Sequence, residues 1–98
     1  MSTKFFERVI GYSAPLVPRN EIPEAEVGQR RAYYRVMLDD AGRVINITKM
    51  LDSQIEIQFA YQYDNLGRLT GAQITDTNGN SRALDVPSER AVTVTTRT

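Results

Sequence analysis

From Ile55 to Tyr63 the chain alternates for nine residues, with Ile55, Ile57, Phe59, Tyr61 and Tyr63 set against Glu56, Gln58, Ala60 and Gln62. A period of two places the two sets on opposite faces of a β-strand, one apolar and one largely polar. Such a strand needs hydrogen-bonding neighbours along both edges and a cover over its apolar face. The rest of the chain has to supply both.

Turn signals supply the neighbours. Asp64-Asn65-Leu66-Gly67 follows the alternating run, while Asp39-Asp40-Ala41-Gly42 and Asp76-Thr77-Asn78-Gly79 repeat an aspartate three residues before a glycine. Gly42, Gly67 and Gly79 are expected at positive φ, which glycine adopts without steric cost. With a glycine-free reversal at Leu51-Asp52-Ser53, the turns recur every 12 or 13 residues, the rhythm of a β-meander. Strand-forming runs lie between them: Tyr33 to Leu38, Arg43 to Met50, Arg68 to Thr75 and Asn80 to Val86. After Gly67 two registers compete. Pairing Asp64 with Arg68 sets Tyr63 opposite Leu69, whereas a two-residue loop sets Ile57 opposite Ile74 and Phe59 opposite Ala72, and a bulge near Gly71 would be needed to reconcile them.

The N-terminal third reads differently. Lys4 to Tyr12 fits a strand by its aromatic and β-branched content, Pro15 and Pro18 mark an extended connection, and Glu21 to Arg30 has proline, early acids and a basic end at Arg30 that predict a helix of about two turns. We expect that helix to lie on the Ile55/Ile57/Phe59/Tyr61 face, with Phe5 to Tyr12 pairing along an edge or lying beside it. Phe59 and Tyr61 should then carry much of the core. The expected fold class is α+β with β dominant: an antiparallel β-meander of four or five strands with one short N-terminal helix. One domain spans 1–98, divided into an N-terminal segment and helix (1–30), the meander (31–86) and an edge strand or frayed tail (87–98).

Composition narrows the chemistry. With 41% hydrophobic residues and 98 in all, the chain can build one core and no more. It has no His and no Cys, which removes the usual general base near neutral pH, the thiolate nucleophile and most zinc sites. No catalytic constellation, cofactor motif or metal site is read from the sequence, and the expectation is a protein that is not an enzyme. Asp39-Asp40 and Glu24/Glu26 suit a turn and a first helical turn better than acid–base catalysis. Asp76-Thr77-Asn78-Gly79-Asn80 imitates the start of a calcium loop, yet Ser81 stands where that loop wants glycine and Pro87 where it wants glutamate. Phe5, Phe6, Val9 and Ile10 are interrupted by Glu7 and Arg8, so they form no membrane span.

Five residues are nominated as a ligand or partner face: Tyr33, Tyr34, Arg35, Tyr61 and Tyr63. Arg30, Arg31 and Arg35 interleaved with the tyrosines would suit single-stranded nucleic acid, but 12 basic residues balance 12 acidic ones, which argues against nucleic acid. The expected function is a non-catalytic interaction or structural module with a protein partner or a second copy of itself; the alternative is small-ligand binding on the aromatic face. The cysteine-free composition suits the cytoplasm.

Tyr61-x-Tyr63-Asp64-x-x-Gly67-Arg68-Leu69-Thr70, echoed at Leu38-Asp39-Asp40-Ala41-Gly42-Arg43-Val44, resembles the YD-repeat units of RHS-type bacterial proteins over about half of the chain. The resemblance implies β-hairpins assembled into strips and no catalytic residues. The layout as a whole, a lead segment, Pro-x-x-Pro, a small acidic helix, Tyr-Tyr-Arg and a meander, also resembles a family of small uncharacterised bacterial proteins.

Overall fold

The computed structural model describes residues 1–10 and 16–84. The sequence expectations for 11–15 and for 85–98, the last including the terminal strand or tail, lie outside these residues. Seven strands form one antiparallel sheet: β1 (Ser2–Ile10), β2 (Val17–Ile22), β3 (Ala32–Leu38), β4 (Val44–Leu51), β5 (Gln54–Tyr63), β6 (Leu69–Thr75) and β7 (Ser81–Ala83), in the order β2-β1-β3-β4-β5-β6-β7. The expected four or five strands are thus corrected to seven, because the N-terminal third joins the sheet rather than covering it from outside. From β3 to β7 each strand pairs with the next in sequence, as the turn spacing implied.

The predicted helix is also corrected. Glu21 and Ile22 close β2, and only Glu24–Val27 forms a single turn, α1, with no buried residue and no side-chain cap at Pro23. One turn gains little from its own hydrogen bonds. In β2 the same chain sets Ile22 opposite Phe5 and buries it to 3% exposure, so tertiary burial overrides the local helix signal. α1 packs on β1 rather than on the Ile55/Ile57/Phe59/Tyr61 face.

Register assigns the faces. Val36 pairs with Ile47, Ile47 with Phe59, and Tyr61 with Ala72, and these residues share one side of the sheet. Val36, Ile47, Tyr61, Leu69 and Ala72 form the buried core there, with Val36 and Ile47 wholly buried. Phe59 packs against this core but is only half-buried, so the centre lies on β3 and β4 rather than on Phe59. Three bulges adjust the pattern. One between Met37 and Leu38 brings Leu38 opposite Val44; one at Glu56 sets Ile55 opposite Met50, on the other face from Ile57; one at Thr70 lets Leu69 and Ala72 share the core side. At the Gly67 turn, therefore, Tyr63 faces Leu69, and beyond the bulge Phe59 faces Ile74 rather than Ala72.

The cover over the core comes from a twisted ribbon. β1 pairs with β3 only over Ser2 to Phe6, whereas it pairs with β2 as far as Ile10. Freed from β3, the two strands can take the stronger twist of a two-stranded ribbon. The β1–β2 ladder is interrupted where Glu7 faces Asn20, and Asn20 has φ 62, a left-handed conformation that asparagine tolerates better than most residues. Past this point Val9 and Leu16 pack against the core, and the Leu16 amide donates to the Tyr61 hydroxyl at 3.3 Å. The N-terminal third does cover the apolar face, as a folded-over ribbon in place of the expected helix.

Asn20→Gly should leave the thermal melt within a few tenths of a kcal/mol of the parent, while Asn20→Val should cost about 1 to 2 kcal/mol, because a β-branched residue is strained at positive φ. Equal melts for the two variants would show that the left-handed bend is not needed.

Candidate interaction surface

The five nominated residues do not share a face. Tyr34, Tyr61 and Tyr63 belong to the core side, whereas Tyr33 and Arg35 lie on the opposite side with Phe5, whose ring meets Tyr33 edge-on at 5.9 Å. Alternation forces this split, since adjacent residues in a strand point apart. Tyr61 is buried, and burial raises its hydroxyl pKa above the ordinary value near 10. Tyr63 donates to the Val44 carbonyl at 2.6 Å, and burial likewise raises its pKa. Arg30 and Arg31 pair with Glu7 at 3.2 Å and Asp52 at 2.9 Å, so the basic–aromatic interleaving does not become a continuous stacking platform.

The Asp-x-x-Gly turns share one construction. Asp39 Oδ1 accepts from the Ala41 and Arg43 amides at 2.9 and 2.8 Å; Asp64 Oδ1 accepts from Leu66 and Arg68, both at 2.9 Å; Asp76 Oδ1 accepts from Asn78 and Asn80 at 2.9 and 3.0 Å. One Asp76 carboxylate oxygen, Oδ1, is thus engaged with its own backbone. Gly42, Gly67 and Gly79 have φ 84, 80 and 83, as expected. In the first two turns the second carboxylate oxygen also takes the Nε of Arg43 or Arg68 at 2.8 Å. Amide donation from Arg43, then its guanidinium, holds the Asp39 carboxyl below its ordinary 3.8; amide donation from Arg68 does the same at Asp64.

These two turns also touch. Arg43 lies 5.3 Å from the Tyr63 ring centroid, and a Cβ at Gly67 would come within 2.7 Å of an Arg43 guanidinium nitrogen. The fourth reversal needs no glycine: Asp52 and Ser53 both adopt positive φ, 52 and 67, in a two-residue loop, and the Asp52 amide donates to the Arg31 carbonyl at 2.8 Å. Its only sequence signal was the interval between its neighbours.

Opposite the core, β4 to β7 present a face that no residue nomination anticipated. One row runs Asn46, Ala60, Gln73, Ala83 and the next Thr48, Gln58, Thr75, Ser81. None of these side chains is charged. Thr48 is fully buried yet satisfied, donating to Asn46 Oδ1 at 2.9 Å and accepting from Gln58 Nε2 at 3.4 Å. Where small residues meet, at Ala60, Gly71 and Ala83, the surface dips into an open trough of about 270 Å³, bordered by Gln62, Thr70 and Gln73. Strict alternation carried this signal, but its polar set looked like ordinary solvated surface.

Comparison with protein families matches residues 1–95 to a family of unknown function, DUF6156. The chain belongs to the DUF6156 family. No curated protein and no solved structure matches it. Among the described residues of this DUF6156 chain, no helix is long and apolar enough to cross a membrane.

Both Asp39 and Asp64 titrate lower in the folded chain than when unfolded, so the unfolded state binds more protons as the solution is acidified. Their stabilisation is present above the ordinary aspartate value of 3.8 and is lost as pH falls through the depressed folded values. Asp39→Asn/Asp64→Asn should melt lower than the parent at pH 7 and show a shallower loss of stability below pH about 4. An unchanged acid slope would remove the two carboxylates from the explanation.

Gly67→Ala and Gly42→Ala place the same side chain at nearly the same φ. Only Gly67→Ala must displace Arg43, whereas nothing lies within 4 Å of a Cβ at Gly42. The expected cost is about 1 kcal/mol for Gly42→Ala and roughly twice that for Gly67→Ala, measured by denaturant unfolding. Equal costs would mean that the Arg43–Tyr63 contact contributes nothing.

Proposed function

We propose that this DUF6156 domain is a non-catalytic interaction or structural module whose partner lies on the open face of β4 to β7. The observation that carries the reading is the make-up of that face, an extended uncharged surface of amides, hydroxyls and small side chains. A surface of this kind can be covered without desolvating a charge, and charged residues are depleted at the centres of protein interfaces. A chain without His or Cys supports the non-catalytic reading. The nested turns at Asp39 and Asp64 fit the YD-repeat likeness, in which hairpin units are added side by side into a strip, and on the same likeness we take the protein to be bacterial. Its cysteine-free composition favours work in the cytoplasm.

A second reading rests on the trough at Ala60, Gly71 and Ala83: a small uncharged ligand hydrogen-bonded by Gln62 and Gln73. Size-exclusion chromatography of host extract distinguishes the two. The chain should elute well above its 11.1 kDa mass, and Gln73→Arg or Ala83→Arg, at exposed positions, should keep the thermal melt but release the chain to its free mass. A complex untouched by either substitution overturns the partner reading; a small molecule that co-purifies with the parent and is lost from the variants favours the second.

A further inference from the structure

The rows of the open face do not stop at β4. Register carries one through Thr48 to Arg35 on β3 and Phe5 on β1, and the other through Asn46 to Met37 and Thr3. Arg35 is the one charged residue in either row. It also stands apart from the other described basic residues. Lys4, Arg30, Arg31, Arg43, Lys49 and Arg68 have carboxylate partners, and Arg8, Arg19 and Arg82 lie exposed, where water solvates them. Arg35 is half-buried, and its side chain has no hydrogen bond, ion pair or ring contact with a described residue. Phe5 and Thr48 stand across from it, with Tyr33 and Met37 before and after it on the same side of β3. None of these supplies an anion. The Thr48 hydroxyl is committed to Asn46 and Gln58, and Glu7, two residues after Phe5 on the same side of β1, accepts from Arg30 at 3.2 Å.

A charged group that has lost part of its water and gained no acceptor destabilises the fold that holds it. A partner lying across these rows would remove the water that Arg35 retains, so its surface must bring an anion to that point. A guanidinium matches a carboxylate through two parallel hydrogen bonds, and one carboxylate balances the single charge, whereas a phosphate group brings about two charges to one arginine. Nucleic acid takes several basic contacts for its affinity, and the rows hold no second basic residue.

We propose that Arg35 anchors the open-face interface, and that the partner is a protein segment which sets one aspartate or glutamate carboxylate on Arg35 and uncharged residues over Thr48, Gln58 and Ala60. Arginine and the aromatic residues are enriched among the few positions that dominate interfaces, and the edge-on pair of Phe5 and Tyr33 flanks Arg35 with aromatic area. This inference rests on the open-face reading and adds to it the chemistry of the partner.

Two measurements test it. In the purified full chain, Arg35→Met keeps the apolar stem and removes the charge, so its thermal melt should lie a few degrees above that of the parent. A lower melt makes Arg35 a structural residue and overturns the proposal. From nuclease-treated host extract, the protein retained by the immobilised parent should bind Arg35→Met about tenfold more weakly and Arg35→Glu still less. The aspartates and glutamates of that protein are then changed to lysine one at a time, and one of these variants should restore binding to Arg35→Glu. Circular dichroism verifies folding; should Arg35→Glu unfold, the affinity of Arg35→Met decides. Arg35 variants that bind like the parent, or a partner in which no lysine change rescues Arg35→Glu, overturn the proposal but leave the open-face reading standing while Gln73→Arg still abolishes binding. A complex that nuclease removes assigns Arg35 to a nucleic-acid phosphate and overturns the proposal as well. A parent without a partner, or one indifferent to both Gln73→Arg and Ala83→Arg, overturns the open-face reading and this inference together.

Discussion

Burial of Val36 and Ile47 is the contact on which the rest of the structure depends. A single sheet has two faces, and among the described residues the one helical turn supplies no second layer to put over either. The solution is to detach the end of one edge ribbon from β3, twist it, and lay Val9 and Leu16 over the central strands. Each large aliphatic side chain sealed in this way contributes on the order of 1.5 to 3 kcal/mol, so a few such residues hold a large part of the stability of a small domain. The bend at Asn20 and the Leu16–Tyr61 hydrogen bond follow from that requirement.

The second organising relation lies between the turns. Arg43 closes its own turn through Asp39 and then reaches the Tyr63 ring and the space over Gly67 in the next unit, while the Tyr63 hydroxyl returns to the Val44 carbonyl. Two reversals 25 residues apart in sequence are thereby locked to one another at the same end of the sheet. Bulges after both, at Ile45 and Thr70, turn Val44 and Leu69 inward immediately beyond the turn. The third turn, at Asp76, lacks the arginine and the bulge, and its strand β7 is short and exposed.

Surface chemistry divides along the same lines. The core side is closed by the ribbon and by Leu84, and the rows on the far side of β4 to β7 carry no charge. The neutral face and the β1–β2 ribbon lie at opposite ends of the strand order.

What the sequence by itself determined was local: the alternation of β5, the positive φ of Gly42, Gly67 and Gly79, and the antiparallel succession of strands from Tyr33 onward, each set by a period of two or by a conformation that glycine alone takes freely. The tertiary structure decided whatever depended on competition between local and distant contacts. Glu21 and Ile22 left a plausible helix because Phe5 offered burial; Ile55 changed face because one extra residue, Glu56, entered the ladder; Tyr33 and Tyr34 parted because alternation outweighs adjacency. Where the cover came from was decided by where β1 stops pairing with β3, a long-range event that no window of residues records, since its driving force is the apolar area of strands that the ribbon meets only once the sheet exists.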